Sequence, residues 1–506
     1  MVLPSTLEKP PAEDLRRTNA WLVMSFLRSY RLFGTTLALT IVALGGARLI
    51  LRSDGSFIAV ATLGFAGAAA LAAGEVRRNR IVVLNLFSLA FLLRVVALTS
   101  LSWAAARDGG SFLGPDSVSF VRGATYLAAH AFHLGMSPLV FFGTYDVGHY
   151  YLFATAIQYL HADLLGLQMI NASLSALAAP LTFSIVRRVL PRTARVSGLL
   201  VGLYPSLVVL SVVDLLKDPS VLCATLVAVW TVAAMARARH PATIFLVVPG
   251  LLAVLYLRTS RFYTLAYLEF GLVCATAWVV VIMRGIRIRR PIRTAIAGLV
   301  LMFAAGEAIP AIVGWPPSPV LFTAQVLRAT GTPGLMNYSA GLVDHLANDD
   351  HEGQFATERG VLSFGANLVR RVMGPFPWIR PARWDVVYLE ANNYLLYPGM
   401  LVWYTMLPVL VIGLLLVGRD ILCRAYVGST MVFLWLFTVP YCLQYLAINL
   451  SYRQRDDMFP FLLVFVAVGS AHAVRSPTFR RWYPRYWAML ALIAVAHLTV
   501  RQLSGL

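Results

Sequence analysis

Lysine is almost missing from this chain: Lys9 and Lys217 are the only two, and the other 40 of its 42 basic residues are arginine. That bias is a codon argument, pointing to a GC-rich bacterial genome. Charge of either sign is scarce as well, at 13% of 506 residues, where a soluble domain carries about 25%. An ordinary water-soluble fold is thereby excluded. Cysteine is down to four residues, Cys223, Cys274 and Cys442 inside apolar runs and Cys423 between two of them. They form no disulfide framework and no zinc spacing, and read as small packing residues. A P-loop, a dinucleotide fingerprint, HExxH and GxSxG are all absent, which argues against ATP-driven transport and zinc proteolysis. No internal repeat is visible either, which counts against the repeat-built transporters.

What the chain does have is apolar length. Hydrophobic residues make up 59% of it, gathered in runs near the roughly 20 residues that cross a bilayer. The pattern predicts an all-α, polytopic transmembrane helical bundle of about 13 spans. They fall at 33–51, 57–74, 81–103, 164–186, 197–213, 219–236, 243–259, 264–283, 294–312, 398–417, 425–447, 458–474 and 486–503. The first 32 residues are polar and Arg-containing, too long an n-region for a signal peptide. They read as a cytoplasmic tail, with the first span a retained anchor.

The net charge of +19 does not point to nucleic acid, because the charge sits in short clusters between spans. With the N-terminus inside, 25 of the 42 basic residues fall in 1–32, 75–80, 187–196, 237–242, 284–293, 418–424 and 475–485. Sixteen of the 23 acids fall on the opposite side. This is the bias the positive-inside rule expects. Two long segments, 104–163 and 313–397, then lie on the external face and should carry amphipathic helices. The chain divides into the tail with two additional N-terminal spans (1–80), a core with the first external loop (81–312), the second external segment (313–397) and the C-terminal spans (398–506).

Five elements of the external face carry chemistry. In the first loop Gly114-Pro115 is a turn signal ahead of Asp116. Asp116 can cap the helix that follows, act as a base at the membrane surface, or do both. Asp146-Val-Gly-His149-Tyr150-Tyr151 opens a second amphipathic stretch. Its aromatics suit an interfacial anchor, and His149 could also bind an acceptor or a phosphate. Asp214, Lys217 and Asp218 share one face if helical. They read as a local ion pair, or as a lysine kept charged to hold phosphate.

Arg258 and Arg261 end one span and begin the next. They either snorkel or clamp a phosphate. Arg453 and Arg455 either pair with Asp456 and Asp457 or face the same phosphate. The second external segment adds the rigid turn Gly374-Pro-Phe-Pro-Trp378. Upstream of it, Asp344, Asp349, Asp350, Glu352 and Glu358 read as a solvated acidic face.

Taken in order, Leu93-Arg94, Asp116, His149-Tyr150-Tyr151, Asn171, Arg187-Arg188, Leu203-Tyr204-Pro205-Ser206, Lys217-Asp218, Leu257-Arg258 and Tyr452-Arg453-Gln-Arg455 form a pattern. It resembles that of the GT-C superfamily of polytopic glycosyltransferases, over roughly residues 81–475. Phe120 stands where relatives often have Tyr, the loop acid is single, and Gly148-His149-Tyr150 replaces the common His-Pro-Pro.

The resemblance implies a GT-C-like bundle in a bacterial inner membrane. It implies transfer of a sugar from a polyprenyl-phosphate donor to an extracytoplasmic glycan, lipid or protein acceptor. Asp116 would be the catalytic base. Lys217, Arg258, Arg261, Arg453 and Arg455 would hold the donor phosphate. His149, Tyr150, Asp214 and Asp218 would bind the acceptor. No cofactor is required, and a divalent metal between Asp116 and Asp218 stays open. The rival readings are a transporter or flippase of lipid-linked or anionic substrates, and a polysaccharide polymerase or ligase fed by a diphosphate-linked oligosaccharide. A transporter should bury ionisable residues within its spans.

Overall fold

The computed structural model describes residues 12–51, 55–107, 115–133, 147–212, 215–235, 245–282, 290–312, 386–423, 427–447 and 452–503. Within these, the side chains of 12–29, 105–106, 115–116, 279–282, 290–297, 386–397, 444–447, 452–456, 497–498 and 500–503 are not described. Among the described residues every regular element is a helix. The first group is α1 (Ala12–Leu51), α2 (Ser56–Ala73), α3 (Arg77–Arg107), α4 (Pro115–Ala129), α5 (Gly148–Leu160), α6 (Leu164–Val189), α7 (Ala194–Leu203) and α8 (Pro205–Val212). The second is α9 (Asp218–Met235), α10 (Val247–Ser260), α11 (Phe262–Ile282), α12 (Arg290–Ile312), α13 (Val386–Leu422), α14 (Ser429–Ala447), α15 (Tyr452–Ala473) and α16 (Pro477–Leu503).

Six of these contain stretches long and apolar enough to cross a membrane: Tyr30–Leu51, Ser56–Ala73, Arg77–Ala104, Leu164–Val189, Asp218–Met235 and Pro398–Leu422. The number reaches eight if the bent pairs α7–α8 (45°) and α15–α16 (118°) each count as one span. Others of the thirteen expected runs fall on α10, α12 and α14, whose described apolar stretches are Val247–Ser260, Gly298–Ile312 and Ser429–Leu443. The run expected at 264–283 lies on α11, which carries Glu269. The protein is thus a membrane-embedded helical bundle. The polar N-terminal stretch is already helical from Ala12, continuous with the first span.

Helix α6 is the axis of the bundle. Of its apolar window 89% is buried, against 17% for α1, which runs along the periphery. Helices α2, α3, α7 and α9 all pack on α6. Asp163 starts α6 as a true N-cap, its carboxylate accepting the Gly166 N–H at 2.8 Å. At its far end Arg187 and Arg188 reach the buried Glu75 in the α2–α3 turn, which also accepts from Ser184 Oγ at 2.8 Å. Arg188 lies over the Trp230 ring at 5.6 Å. One end of the bundle is pinned by this ionic cluster.

The other end carries α4 and α5, which lie along each other. Pro115 takes the first position of α4, where its missing N–H costs nothing. Asp116 is therefore one residue inside the helix, not at the cap. Helices α13 and α15 cross without side chains between them: a Cβ on Gly413 would overlap the Phe465 carbonyl, and one on Gly469 the Val409 carbonyl. Only glycine permits that approach.

Candidate functional site

Between α8 and α9 the chain makes a tight hairpin, Leu215-Leu216-Lys217, buried except for Lys217. A buried stretch outside a helix has no ladder to satisfy its peptide groups, and here side chains from other elements do so. Gln168 Nε2 donates to the Val212 carbonyl at 3.3 Å, and Asn171 Nδ2 to that of Leu216 at 2.9 Å. Ser220 Oγ donates to the Lys217 carbonyl at 2.7 Å. From α4, Ser117 Oγ accepts the Leu215 N–H at 2.9 Å. Ser117 follows Asp116 directly, so the first turn of α4 is tied to the hairpin that carries Lys217 and Asp218.

His149 completes the clamp. Its Nε2 donates to the Leu215 carbonyl at 3.1 Å, which leaves Nδ1 as an acceptor facing Ser220 Oγ and Tyr256 Oη, each at 3.3 Å. Those two hydroxyls also contact each other. The ring is fully buried, with Phe120 edge-on at 4.9 Å and Phe153 at 4.1 Å. Burial pushes its pKa down to about 3, so the imidazole is neutral. Both nitrogens are engaged by the protein. Tyr150 is buried against Phe120, ring centroids 4.9 Å apart.

Arg261 caps the end of α10 and lies between two carboxylates, Asp218 at the start of α9 and Asp457 in the first turns of α15. All three are buried. A guanidinium divided between two carboxylates has little charge left for a lipid phosphate, so Arg261 serves as a pin and Asp218 is its partner. Asp457 thus pairs across the bundle with Arg261. Arg258 is fully buried, its Nε donating to Glu307 Oε2 on α12 at 3.3 Å. Glu269 of α11 lies within electrostatic reach of that pair. Arg258 does not snorkel; it is neutralised at depth.

The carboxylate of Asp116 and the guanidinium groups of Arg453 and Arg455 lie outside the described residues, as does Asp214. Also outside are the turn Gly374–Trp378 and the acids Asp344 to Glu358. The backbone still brings the first turns of α4 and α15 to the same hairpin, one through Ser117 and the other through Asp457. Among the described residues no group of three His, Cys, Asp or Glu side chains could hold a metal ion. Asp218, one of the two acids considered for a metal, is engaged by Arg261. No step is routed through a metal.

Sequence reasoning missed Ser117, Gln168, Ser220 and Tyr256. Gln168 and Asn171 did carry a signal: two amides at spacing three on an apolar helix call for backbone partners across a helix interface.

No protein-family model matches the chain, and no curated protein matches it either.

Proposed function

We infer that this protein is a GT-C-like glycosyltransferase of a bacterial inner membrane, with about 13 spans and its site on the external face. It would move a sugar from a polyprenyl-phosphate donor to an extracytoplasmic acceptor. The observation that carries the reading is the Ser117–Leu215 hydrogen bond. It holds the α4 turn bearing Asp116 against the hairpin bearing Lys217. The ion pairs of Arg261 bring the first turn of α15, with Arg453 and Arg455, to the same place.

In this reading Asp116 takes the acceptor hydroxyl proton as the oxygen attacks the anomeric carbon. The bond to the lipid phosphate breaks, and the leaving phosphate meets Lys217, Arg453 and Arg455. His149, Tyr150, Asp218 and Arg261 orient these groups without touching substrate. Asp116→Asn in purified protein given polyprenyl-phosphate sugars should lower transfer by about 10²–10⁴-fold with the fold intact. Wild-type rates in that variant would sink the assignment.

One observation favours a transporter as second reading: Arg258, Glu307 and Glu269 lie together on apolar helices, the kind of intramembrane charge that marks transport pathways. Substrate flux in proteoliposomes that survives Asp116→Asn and falls with Glu307→Gln would favour it.

A further inference from the structure

Arg94 is fully buried well inside the apolar span Arg77–Ala104. Its Nε donates to Ser175 Oγ at 3.0 Å, and its Nη1 to the carbonyls of Ala90 at 2.9 Å and Gly202 at 3.0 Å. Among the described residues Nη2 has no hydrogen-bond partner. Among the described residues no carboxylate forms an ion pair with this side chain. Each of its partners is neutral, and a guanidinium does not give up its proton. A whole positive charge therefore stands at membrane depth, where an uncompensated charge is expensive.

The guanidinium lies alongside the break between α7 and α8. Tyr204 takes extended backbone there (φ −63°, ψ 116°), and α8 restarts at Pro205 with a 45° bend. Arg94 holds both sides of the break: Nη1 takes the Gly202 carbonyl before it, and Ser175 Oγ, which receives Nε–H, donates to the Leu207 carbonyl after it at 3.3 Å. In the first turn of α8 Pro205 carries no N–H and the Val208 N–H is taken by the Tyr204 carbonyl at 3.1 Å, so the N–H groups of Ser206 and Leu207 form its positive end. Ser206 Oγ in that turn is buried and makes no hydrogen bond. An unmatched hydroxyl, a helix start and one unmatched charge thus lie at the same broken span, and helix starts at broken spans receive anions at membrane depth.

The break is closely packed. A Cβ on Gly202 would stand 3.2 Å from Ala90 Cβ and 3.3 Å from Ala179 Cβ, and Gly399 presses directly on Ser206. Such packing favours a small ligand over a phosphate, sulfate or carboxylate.

We propose that the α7–α8 break is a binding site for a monatomic anion of halide size, chloride foremost, held by Arg94 Nη2, Ser206 Oγ and the first amides of α8. The anion neutralises Arg94 and fixes the bend that leads into the Lys217 hairpin. This site is independent of the sugar-transfer reading.

The experiment uses the full-length protein in detergent, with chloride replaced by gluconate at constant ionic strength. The wild-type unfolding temperature should rise saturably with chloride and equally with bromide. Arg94→Gln should remove the dependence, and Ser206→Ala should raise the half-saturating concentration about fivefold, the effect of one hydrogen bond. Crystals grown in bromide should show an anomalous peak at the break. An unfolding temperature indifferent to the anion, a dependence that Arg94→Gln retains, or a break without bromide would overturn the proposal. If Arg94→Gln fails to fold, Ser206→Ala and the wild-type bromide peak decide.

Discussion

Ser117 and Leu215 are joined by a hydrogen bond across 98 residues of sequence, the serine Oγ accepting the hairpin N–H at 2.9 Å. It links a surface helix to a buried turn in the transmembrane core. Ser117→Ala leaves the Leu215 N–H buried and without this acceptor, which costs about 1–3 kcal/mol. The unfolding temperature should fall accordingly, and Ser117→Thr, which restores the hydroxyl, should recover most of it. If transfer activity follows the hydroxyl more steeply than stability does, the α4 turn is being positioned and not merely supported.

His149 makes the protein acid-sensitive. Its pKa is held near 3 when folded, against about 6.5 in an unfolded chain. The unfolded state therefore binds a proton that the native state refuses, and stability contributed by the neutral ring is present above pH 6.5 and lost as pH falls towards 3. The slope approaches about 1.4 kcal/mol per pH unit in that window. Chemical denaturation at pH 7.5 and pH 5.5 should show the loss, and His149→Gln should flatten it. An equal slope in that variant would assign the acid sensitivity elsewhere.

Arg261 bridges Asp218 and Asp457 in a buried triad. Arg261→Met leaves two carboxylates facing each other without a cation, and should destabilise by about 3–5 kcal/mol. The triple variant Asp218→Asn, Arg261→Met, Asp457→Asn should recover much of that loss, since no uncompensated charge remains. Additive losses in the triple variant would mean that the three groups are not coupled.

At the opposite end, Glu75→Ala strands Arg187 and Arg188 around a missing carboxylate. It should cost about 3 kcal/mol while leaving the half-saturation of any substrate at the Lys217 hairpin unchanged. Parallel unfolding and activity measurements check both halves of this expectation.

The local features were legible because they depend on residues a few positions apart. The run 164–186 gave the start of α6 at Leu164, whereas 197–213 read as one span although Pro205 sits at its break. The charge pairings were not legible. Asp214, Lys217 and Asp218 read as a local ion pair, yet Asp218 pairs with Arg261, and Asp457 with the same arginine from 196 residues away. Side-chain spacing on one helix cannot reveal which other helix supplies the countercharge. The same gap concealed His149: neighbouring aromatics suggested an interface, but burial under Phe120 and Phe153 comes from tertiary packing. Of the expected spans, six apolar stretches among the described residues are long enough to cross, or eight if each bent pair counts as one.

The two facing glycines of α13 and α15 give the bundle a mechanical property. With backbone pressed on backbone at Gly413 and Gly469, neither helix can rotate about its axis without the other. A displacement of α13 at this crossing is delivered to α15 directly, with no side chain between the two helices to absorb it. That crossing makes α13 a lever on the first turn of α15, and a single added methyl at either glycine would move its fulcrum.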